Sequence, residues 1–355
     1  TPSYARLVSG VHLLGVGTTS LSRRRRESRS LAREAIAAAL ADAGVSPREV
    51  DGLAIASANV GFDLGCYDVL GRDRRPFRCR CGLGSIALHS GWNAIAAGAS
   101  EIVVCVGHDS PPPRRRSAGF EAQAATARLY MRHSGATEEH LARVAAKNLS
   151  NGAANPRAPE GAPVDAGGVL ASEMLAWPLR RLMIAEPAQG AAAVVLGSRE
   201  AGRRRGPRSP RIRASVLIDE DAGDGAATAH AARLAYFSAE LGPEEVDVAE
   251  IDDPTPIEEL AAYEALEFAP PGSGPELVES GFTTLSGVVP VNPSGGALAQ
   301  GRAIGTGGIL QMVELALQLR DRAGRRQVRG ARVGLGLIGS WEPSGAATTV
   351  TILSG

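Results

Sequence analysis

The stretch CGLGSIALHSGWNAIAAGASEIVVCVG, residues 81–107, decides the fold class because it joins an apolar helix to a buried strand. The small and apolar residues after Cys81 predict a helix that ends near Gly98. Residues 101–107 form an almost continuous apolar run, which is typical of a strand covered on both faces of a sheet. A helix followed closely by such a strand predicts an α/β fold.

The same alternation extends outward from this stretch in both directions. The apolar runs predict strands over residues 11–17, 51–57, 101–107, 190–197, 212–219, 246–251, 331–338 and 347–353. Helical patterns cover residues 31–43, 137–148, 257–268 and 309–322. Thr255 supplies a helix N-cap, followed by a proline and a capping-box glutamate, Glu258. The repeated order of strands and helices predicts two similar halves.

A polar connector rich in arginine, residues 199–210, separates these halves. We therefore predict an N-terminal half over residues 1–205 and a C-terminal half over residues 206–355. Residues 111–185 depart from the strand and helix pattern of the rest of the first half. They are predicted to form an inserted cap over the sheet, called the cap region below.

Composition and charge exclude several classes of function. The 38 basic and 38 acidic side chains cancel, and aromatic residues make up only 4% of the chain, so neither nucleic acid nor a membrane surface is an expected partner. The chain has no apolar run long enough to span a membrane and no secretory leader, which predicts a cytoplasmic protein. Four cysteines are too few for a disulfide scaffold and fit no metal-binding spacing. No permanently bound cofactor is expected.

Two segments are candidates for chemistry. Cys81 directly precedes a glycine-rich helix start, where backbone N–H groups and the helix dipole would stabilise a thiolate nucleophile. The alternative is a buried structural cysteine. The segment VNPSGGALAQGRAIGTGG, residues 291–308, is bare enough to approach a ligand closely and to offer N–H groups to an anion. The alternative here is a tight backbone crossing without a ligand.

Both segments resemble the thiolase superfamily, especially the sterol-carrier-protein-type thiolases. The matching motifs are C-x-x-G-S-x-A-L at residues 81–88 and N-P-S-G-G at residues 292–296. Further matches follow in the family's order, so the resemblance runs nearly end to end: residues 130–156, 190–198, 257–266 and 311–332. The resemblance implies a five-layered α-β-α-β-α fold of two duplicated halves, a dimer and coenzyme A thioesters as substrates.

The resemblance also implies which residues act and where this chain departs from the family. It implies that Cys81 takes up the acyl group, that a histidine in a G-H-P motif activates it, and that an N-E-A-F or H-D-C-F motif holds the thioester oxygen. At the G-H-P position this chain has Arg302, which cannot act as a base at ordinary pH. At the H-D-C-F position it has Asp252 and Asp253. The third catalytic loop, residues 338–342, contains neither histidine nor cysteine.

These observations assign the candidate residues. The predicted catalytic groups are Cys81, Asp252, Asp253 and Arg302. The predicted substrate contacts are Asn292, Ser294, Gly295, Gly296, Gly339 and Ser340.

Three functions remain open from the sequence. The first is an enzyme on acyl-CoA, which works either by acyl transfer through Cys81 or by retro-aldol cleavage with Asp252 or Asp253 as the base. Thiolase-like lyases of steroid breakdown do the latter in complex with a small OB-fold protein. The second is a degenerate subunit that binds acyl-CoA or a partner without turnover, and the third is a slow condensing enzyme. The expected assembly is a homodimer, or a heteromer with a thiolase paralogue or an OB-fold protein.

Overall fold

The structure, a computed structural model, describes residues 10–22, 27–57, 64–71, 77–109, 118–159, 161–206, 209–219, 226–339 and 347–355. The strands within these ranges are β1 (Val11–Thr18), β2 (Gly52–Ala56), β3 (Phe77–Cys81), β4 (Ile102–His108), β5 (Met174–Ala176), β6 (Leu179–Arg180), β7 (Ala191–Gly197), β8 (Arg211–Ile218), β9 (Val248–Ile251), β10 (Val333–Ile338) and β11 (Thr348–Ser354). The helices are α1 (Ser28–Ala43), α2 (Leu64–Leu70), α3 (Gly84–Ala96), α4 (Ala118–Ser134), α5 (Glu138–Ala153), α6 (Ala166–Leu170), α7 (Arg199–Arg205), α8 (Ala226–Ala239), α9 (Pro256–Ala265), α10 (Gly274–Glu279), α11 (Gly296–Gln300) and α12 (Ile304–Leu319).

Nine strands form one sheet in the order β3-β2-β4-β7-β1-β8-β11-β10-β9. Counted from the centre, β1-β7-β4-β2 in the first half and β8-β11-β10-β9 in the second have the same directions. In each set two antiparallel pairs are followed by one parallel pair. This repetition confirms the expected duplication. The two halves join where β1 pairs with β8, at Val11 with Ile212 and His12 with Arg211.

Helices cover this sheet in layers. Helix α1 packs on the outer face of β1, β7 and β4, and α8 packs on the outer face of β8 and β11. Helices α3 and α12 contact each other and lie between the two halves of the sheet. The resulting order of helix, sheet, helix, sheet and helix layers confirms the predicted five-layered α/β fold.

The cap region forms α4, α5, α6 and the two-stranded sheet of β5 and β6. Its helix α5 packs against α9, α10 and α11 of the second half. Leu141 and Val144 of α5 share a buried cluster with Ile257 and Leu260 of α9. The cap region therefore belongs to the first half in sequence and is held by the second half in space. The boundary between residues 205 and 206 stays a prediction.

Two of the elements that differ from the sequence expectation are α12 and α7. Helix α12 begins at Ile304, five residues before the predicted start at residue 309. Its extra turn is rich in glycine because it crosses α3 closely: a Cβ added at Gly308 would lie 2.5 Å from the Ser85 nitrogen. Residues 199–205, predicted as connector, form α7, whose Ser198 side chain accepts a hydrogen bond from the Ala201 N–H. The capping box of Thr255 and Glu258 at α9 is confirmed.

Candidate functional site

A narrow cleft of about 70 Å³ opens beside the carboxyl ends of the parallel strands β9 and β10. Asp252 directly follows β9 and Gly339 directly follows β10, and both residues line the cleft. Gly296 and Arg302 line it as well, so four predicted residues of the second half meet here. Ser340, the neighbouring prediction, lies outside the described residues. The first half contributes Leu83, two residues after Cys81.

Asp252 and Arg302 form an ion pair in this cleft. Arg302 Nη2 lies 3.5 Å from Asp252 Oδ2, and both side chains are mostly buried. The backbone of Arg302 is fixed because its N–H donates to the Glu186 carbonyl at 2.8 Å and its carbonyl accepts from the Ala188 N–H at 3.0 Å. The two positions where the resemblance implies histidines therefore hold opposite charges that neutralise each other.

Asp253 lies behind the cleft wall rather than in it. Its side chain is fully buried and accepts hydrogen bonds from the N–H groups of Ala297 and Leu298, at the start of α11, and from Asn148 Nδ2. Burial and the nearby charge of Glu259 raise the pKa of Asp253 well above its usual range. The structure thus places this predicted catalytic residue as a helix cap in the core.

Polar side chains of the glycine-rich loop also form hydrogen bonds within the protein. Asn292 Oδ1 accepts from the Ile251 N–H at 2.7 Å, and Ser294 Oγ accepts from the Gly296 N–H at 3.2 Å. Gly295 and Gly296 have φ of 98° and 60°, and a Cβ on Gly295 would lie 2.6 Å from the Gly152 Cα of α5. Among these predicted substrate contacts only Gly296 lines the cleft. The loop's bare backbone serves a close crossing, which was one of the two interpretations of the sequence.

A buried polar network connects this loop to the cap region. Lys147 Nζ lies 2.7 Å from Glu259 Oε1 and donates to the Val291 carbonyl at 2.7 Å. Asn148 Nδ2 donates to both Asp253 and Glu259, and the side chain of Asn292 donates to Glu259 at 2.8 Å. Because one lysine and two amides hold two buried carboxyl groups, the network fixes α5, α9 and the loop relative to one another.

Two carboxyl groups near the ion pair were missed from the sequence. Glu250 of β9 lines the cleft, and burial together with the charge of Glu314 raises its pKa to about 8. Glu258 is buried beneath Arg302, and burial raises its pKa to about 7 despite its hydrogen bond from Thr255. The available sequence signal was an acidic residue inside an apolar strand, in the run VDVAEI over residues 246–251.

Cys81 ends β3, and its sulfur faces carbonyl oxygens. Sγ lies 3.2 Å from the Leu83 carbonyl oxygen and 3.6 Å from that of Ile55, so the thiol is the donor. A hydrogen bond with Cys79, followed by burial, raises the pKa of Cys81, and the same bond lowers the pKa of Cys79 to about 6. A backbone hydrogen bond from Leu83 lowers the pKa of Cys81 in part, but the contact with Cys79 and burial outweigh it, so the surroundings favour the protonated thiol.

The described residues contain no group of three or more His, Cys, Asp or Glu side chains placed to hold a metal ion. Nor is any helix within the described ranges long and apolar enough to cross a membrane.

Comparison with known proteins places this geometry in a family. The chain is 33% identical over 343 residues to the acetyl-CoA acetyltransferase of Methanothermobacter thermautotrophicus, a match that covers 86% of this chain and 90% of that protein. The chain belongs to the thiolase superfamily. The thiolase C-terminal domain-like family model matches residues 215–354. Sterol carrier protein 2 of Bos taurus is 28% identical over 387 residues, covering 94% of this chain and 70% of that protein.

A solved structure extends the comparison to the whole thiolase fold. The structure of an Ltp2-ChsH2(DUF35) aldolase superposes with a TM-score of 0.86 at 24% identity, covering 98% of each chain. At 24% sequence identity, this superposition shows that the two proteins share a fold. The resemblance to sterol-carrier-protein-type thiolases is confirmed. This chain holds an aspartate–arginine pair at the positions that correspond to the H-D-C-F and G-H-P motifs.

Proposed function

We propose that the protein is a carbon–carbon lyase that cleaves a β-hydroxyacyl-CoA thioester by a retro-aldol reaction. The observation that carries the proposal is the ion pair of Asp252 and Arg302 in the cleft. An aspartate can remove a proton from a hydroxyl group, and an arginine can stabilise a developing oxyanion. Arg302 cannot replace a histidine that must activate a thiol and then return its proton, because arginine keeps its proton at ordinary pH.

The reaction balances with these two residues. Asp252 accepts the proton of the substrate's β-hydroxyl group, and the bond between the β- and α-carbons breaks. The oxygen becomes the carbonyl of an aldehyde or ketone, while the electron pair of the broken bond moves into the thioester to give an enolate. Arg302 binds the enolate oxygen. Protonation of the α-carbon then releases a shortened acyl-CoA.

The lining of the cleft supports an acyl thioester as the substrate. The apolar side chains of Leu83, Ile304, Leu310 and Ile338 line the cleft together with the charged pair. Ile304 is 45% exposed, and an acyl chain in the cleft could cover its apolar surface. The name of one relative, an acetyl-CoA acetyltransferase, supports the same substrate class.

We also propose that the protein acts as a cytoplasmic complex. The structure of the Ltp2-ChsH2(DUF35) aldolase, a two-component assembly by its name, supports a heteromer with a second protein. A dimer with a second copy or a paralogue is part of the same proposal.

Acyl transfer through Cys81 is the second candidate. It is favoured by the position of Cys81, two residues before the cleft residue Leu83. It is opposed by the carbonyl oxygens that hold the thiol proton.

The experiment is to express the chain with its genomic neighbours and to offer β-hydroxyacyl-CoAs and acetoacetyl-CoA in parallel. A lyase releases aldehyde or ketone and a shortened acyl-CoA from the first substrates and leaves no adduct on Cys81. Thiolysis of acetoacetyl-CoA with an acyl mass on the Cys81 peptide would refute the proposal in favour of acyl transfer. Tight acyl-CoA binding with neither reaction would refute it in favour of a subunit without turnover.

A further inference from the structure

One carboxyl group in the cleft has no part in the steps above. Glu250 lies in β9, is only 3% exposed and lines the cleft together with Asp252. Side chains two positions apart on a strand point to the same side, so Glu250 and Asp252 face the same space. The retro-aldol steps leave one task unassigned, because the enolate must receive a proton on its α-carbon.

The hydrogen bonds of Glu250 fix its orientation. Ser294 donates twice, from its N–H to Oε1 at 3.0 Å and from its hydroxyl to Oε2 at 2.6 Å. The serine Oγ itself accepts from Gln300 Nε2 at 2.9 Å and from the Gly296 N–H at 3.2 Å, which commits its own proton to Glu250. Both serine contacts therefore treat the carboxyl group as an acceptor. A proton on Glu250 must point away from Ser294.

The charges around Glu250 decide whether it carries that proton. Glu314 of α12 faces it from one side, and Arg326 is tied to Glu314 by hydrogen bonds of 3.2 and 2.8 Å. Burial and the charge of Glu314 raise the pKa of Glu250 to about 8, while Ser294 and Arg326 oppose the shift. Asp252 and Arg302 face the same cleft and largely cancel each other. Glu250 is therefore mostly protonated at neutral pH.

We propose that Glu250 is the general acid that protonates the α-carbon of the enolate. The proposal rests on the proposed lyase function. The carboxyl proton of Glu250 forms the new bond to carbon, and the enolate electron pair is consumed in that bond. Glu250 is left as a carboxylate, held by the two bonds from Ser294. The proton taken up by Asp252 returns to Glu250 through water and resets the site.

The first test uses the reverse of this step and needs no aldol substrate. The product acyl-CoA is incubated in D₂O with the intact complex, and deuterium at the α-carbon is followed by mass spectrometry. Wild type should exchange the α-hydrogen, and so should the matched control Glu279→Gln, because Glu279 is an exposed carboxylate that does not line the cleft. Glu250→Gln should lose exchange by a factor on the order of 10²–10⁴. Full exchange by Glu250→Gln would overturn the proposal.

The second test is the pH profile of cleavage, which a purely structural role would not move. Wild-type kcat should fall above pH 8 as Glu250 loses its proton, and Glu250→Gln should lack this alkaline limb. Ser294→Ala keeps the carboxyl group but removes the hydroxyl bond that stabilises the carboxylate, so it should move the limb to higher pH. If kcat falls above pH 8 in both variants as it does in wild type, the role of Glu250 is overturned while the lyase function stands. No cleavage by wild type, with exchange intact, overturns only the lyase function.

Discussion

The two central helices of the duplicated fold begin in opposite chemical surroundings. Helix α3 follows Cys81, whose neutral thiol donates to backbone carbonyl oxygens. Helix α12 follows Arg302, whose charge is matched by Asp252 in the cleft. The sulfur at one start keeps its proton, whereas the other start holds a mostly buried pair of opposite charges. The contrast teaches that duplicated helices can keep their packing while the side chains at their starts differ in charge.

Packing explains why the two starts can share one site. A Cβ on Gly84 of α3 would lie 2.7 Å from the Gly305 carbonyl oxygen of α12, so the first turns of both helices touch. Leu83, just before α3, lines the same cleft as Ala303, just before α12. A substrate in this cleft meets residues from both halves at once.

The largest effect should come from the charged start. Asp252→Asn should lower kcat for aldol cleavage by a factor on the order of 10²–10⁴, because the variant lacks the base. Arg302→Gln should cause a comparable loss, and the double variant should lose far less than the product of the two effects, since the residues act together. Cys81→Ala is the matched control and should leave the rate nearly unchanged. An equal loss in Cys81→Ala would break the comparison.

The second effect concerns the carboxyl group that caps α12. Asp109 accepts from the Gly305 N–H at 2.9 Å and from the Thr306 hydroxyl, and burial raises its pKa from 3.8 to about 6. The folded state therefore binds this proton more tightly than the unfolded state. Its contribution to stability is full below pH 4 and falls by up to about 3 kcal/mol as the pH rises through 6.

Denaturant unfolding between pH 4 and 7 checks this sign. Asp109→Asn should remove the fall that wild type shows. Asp42 serves as a control because its pKa is shifted in the opposite direction. Burial raises its pKa, but hydrogen bonds from Arg322 and the Val16 N–H and the charge of Arg320 outweigh burial and lower it overall. Asp42 therefore stabilises the fold above the unfolded-state pKa of 3.8, so Asp42→Asn should lower stability across this whole range and keep the fall with pH. Loss of the fall in Asp42→Asn, or its persistence in Asp109→Asn, would contradict the assignment.

A third effect tests the contact between the two helix starts. Gly308→Ala places a methyl group 2.7 Å from Ser85 Cβ and should cost about 1–3 kcal/mol of unfolding free energy through overpacking. Gly307→Ala, one residue earlier in α12, meets only Ile338 Cδ1 at 4.0 Å and should be neutral or stabilise by about 0.5–1 kcal/mol. Thermal or urea unfolding of both variants gives the comparison. A destabilised Gly307→Ala would show that helix propensity does not govern this turn.

The smallest effect concerns Cys81, whose neutral thiol precedes α3. At pH 7, iodoacetamide should label Cys79 about tenfold faster than Cys81, because the thiolate is the reactive form and the shared hydrogen bond favours it on Cys79. Peptide mass spectrometry over time gives both rates. Cys79→Ser should speed the labelling of Cys81. Faster labelling of Cys81 in wild type would restore it as an activated nucleophile and remove the contrast between the two starts.

Much of the fold follows from the sequence, because strands buried on both faces leave continuous apolar runs. The runs at 101–107 and 190–197 correspond to β4 and β7 within one residue at each end. The start of α12 did not follow, because three glycines near residue 304 weaken helix propensity and only the crossing with α3 selects them. Contacts between residues distant in sequence therefore determine where α12 begins.

The site was predictable in part. Motif positions located Asp252 and Arg302, but their pairing depends on the distance between two loops, which no local pattern contains. Adjacent in sequence, Asp252 and Asp253 were given the same role, yet successive side chains at a strand end point to opposite sides, and Asp253 turns into the core. Glu250 was missed because its role depends on burial and on Ser294, 44 residues away.

The position of α12 late in the chain has a consequence for folding during synthesis on the ribosome. This helix packs against β4 and β7 of the first half, and Ile309 and Met312 share a buried cluster with Val103 and Val194. Roughly a hundred residues separate β7 from α12, so at about 5–20 residues per second the part of the apolar face of the nascent first half that α12 covers stays exposed for about 5–20 s. During that interval the exposed apolar surface can bind chaperones, and it can aggregate with neighbouring nascent chains.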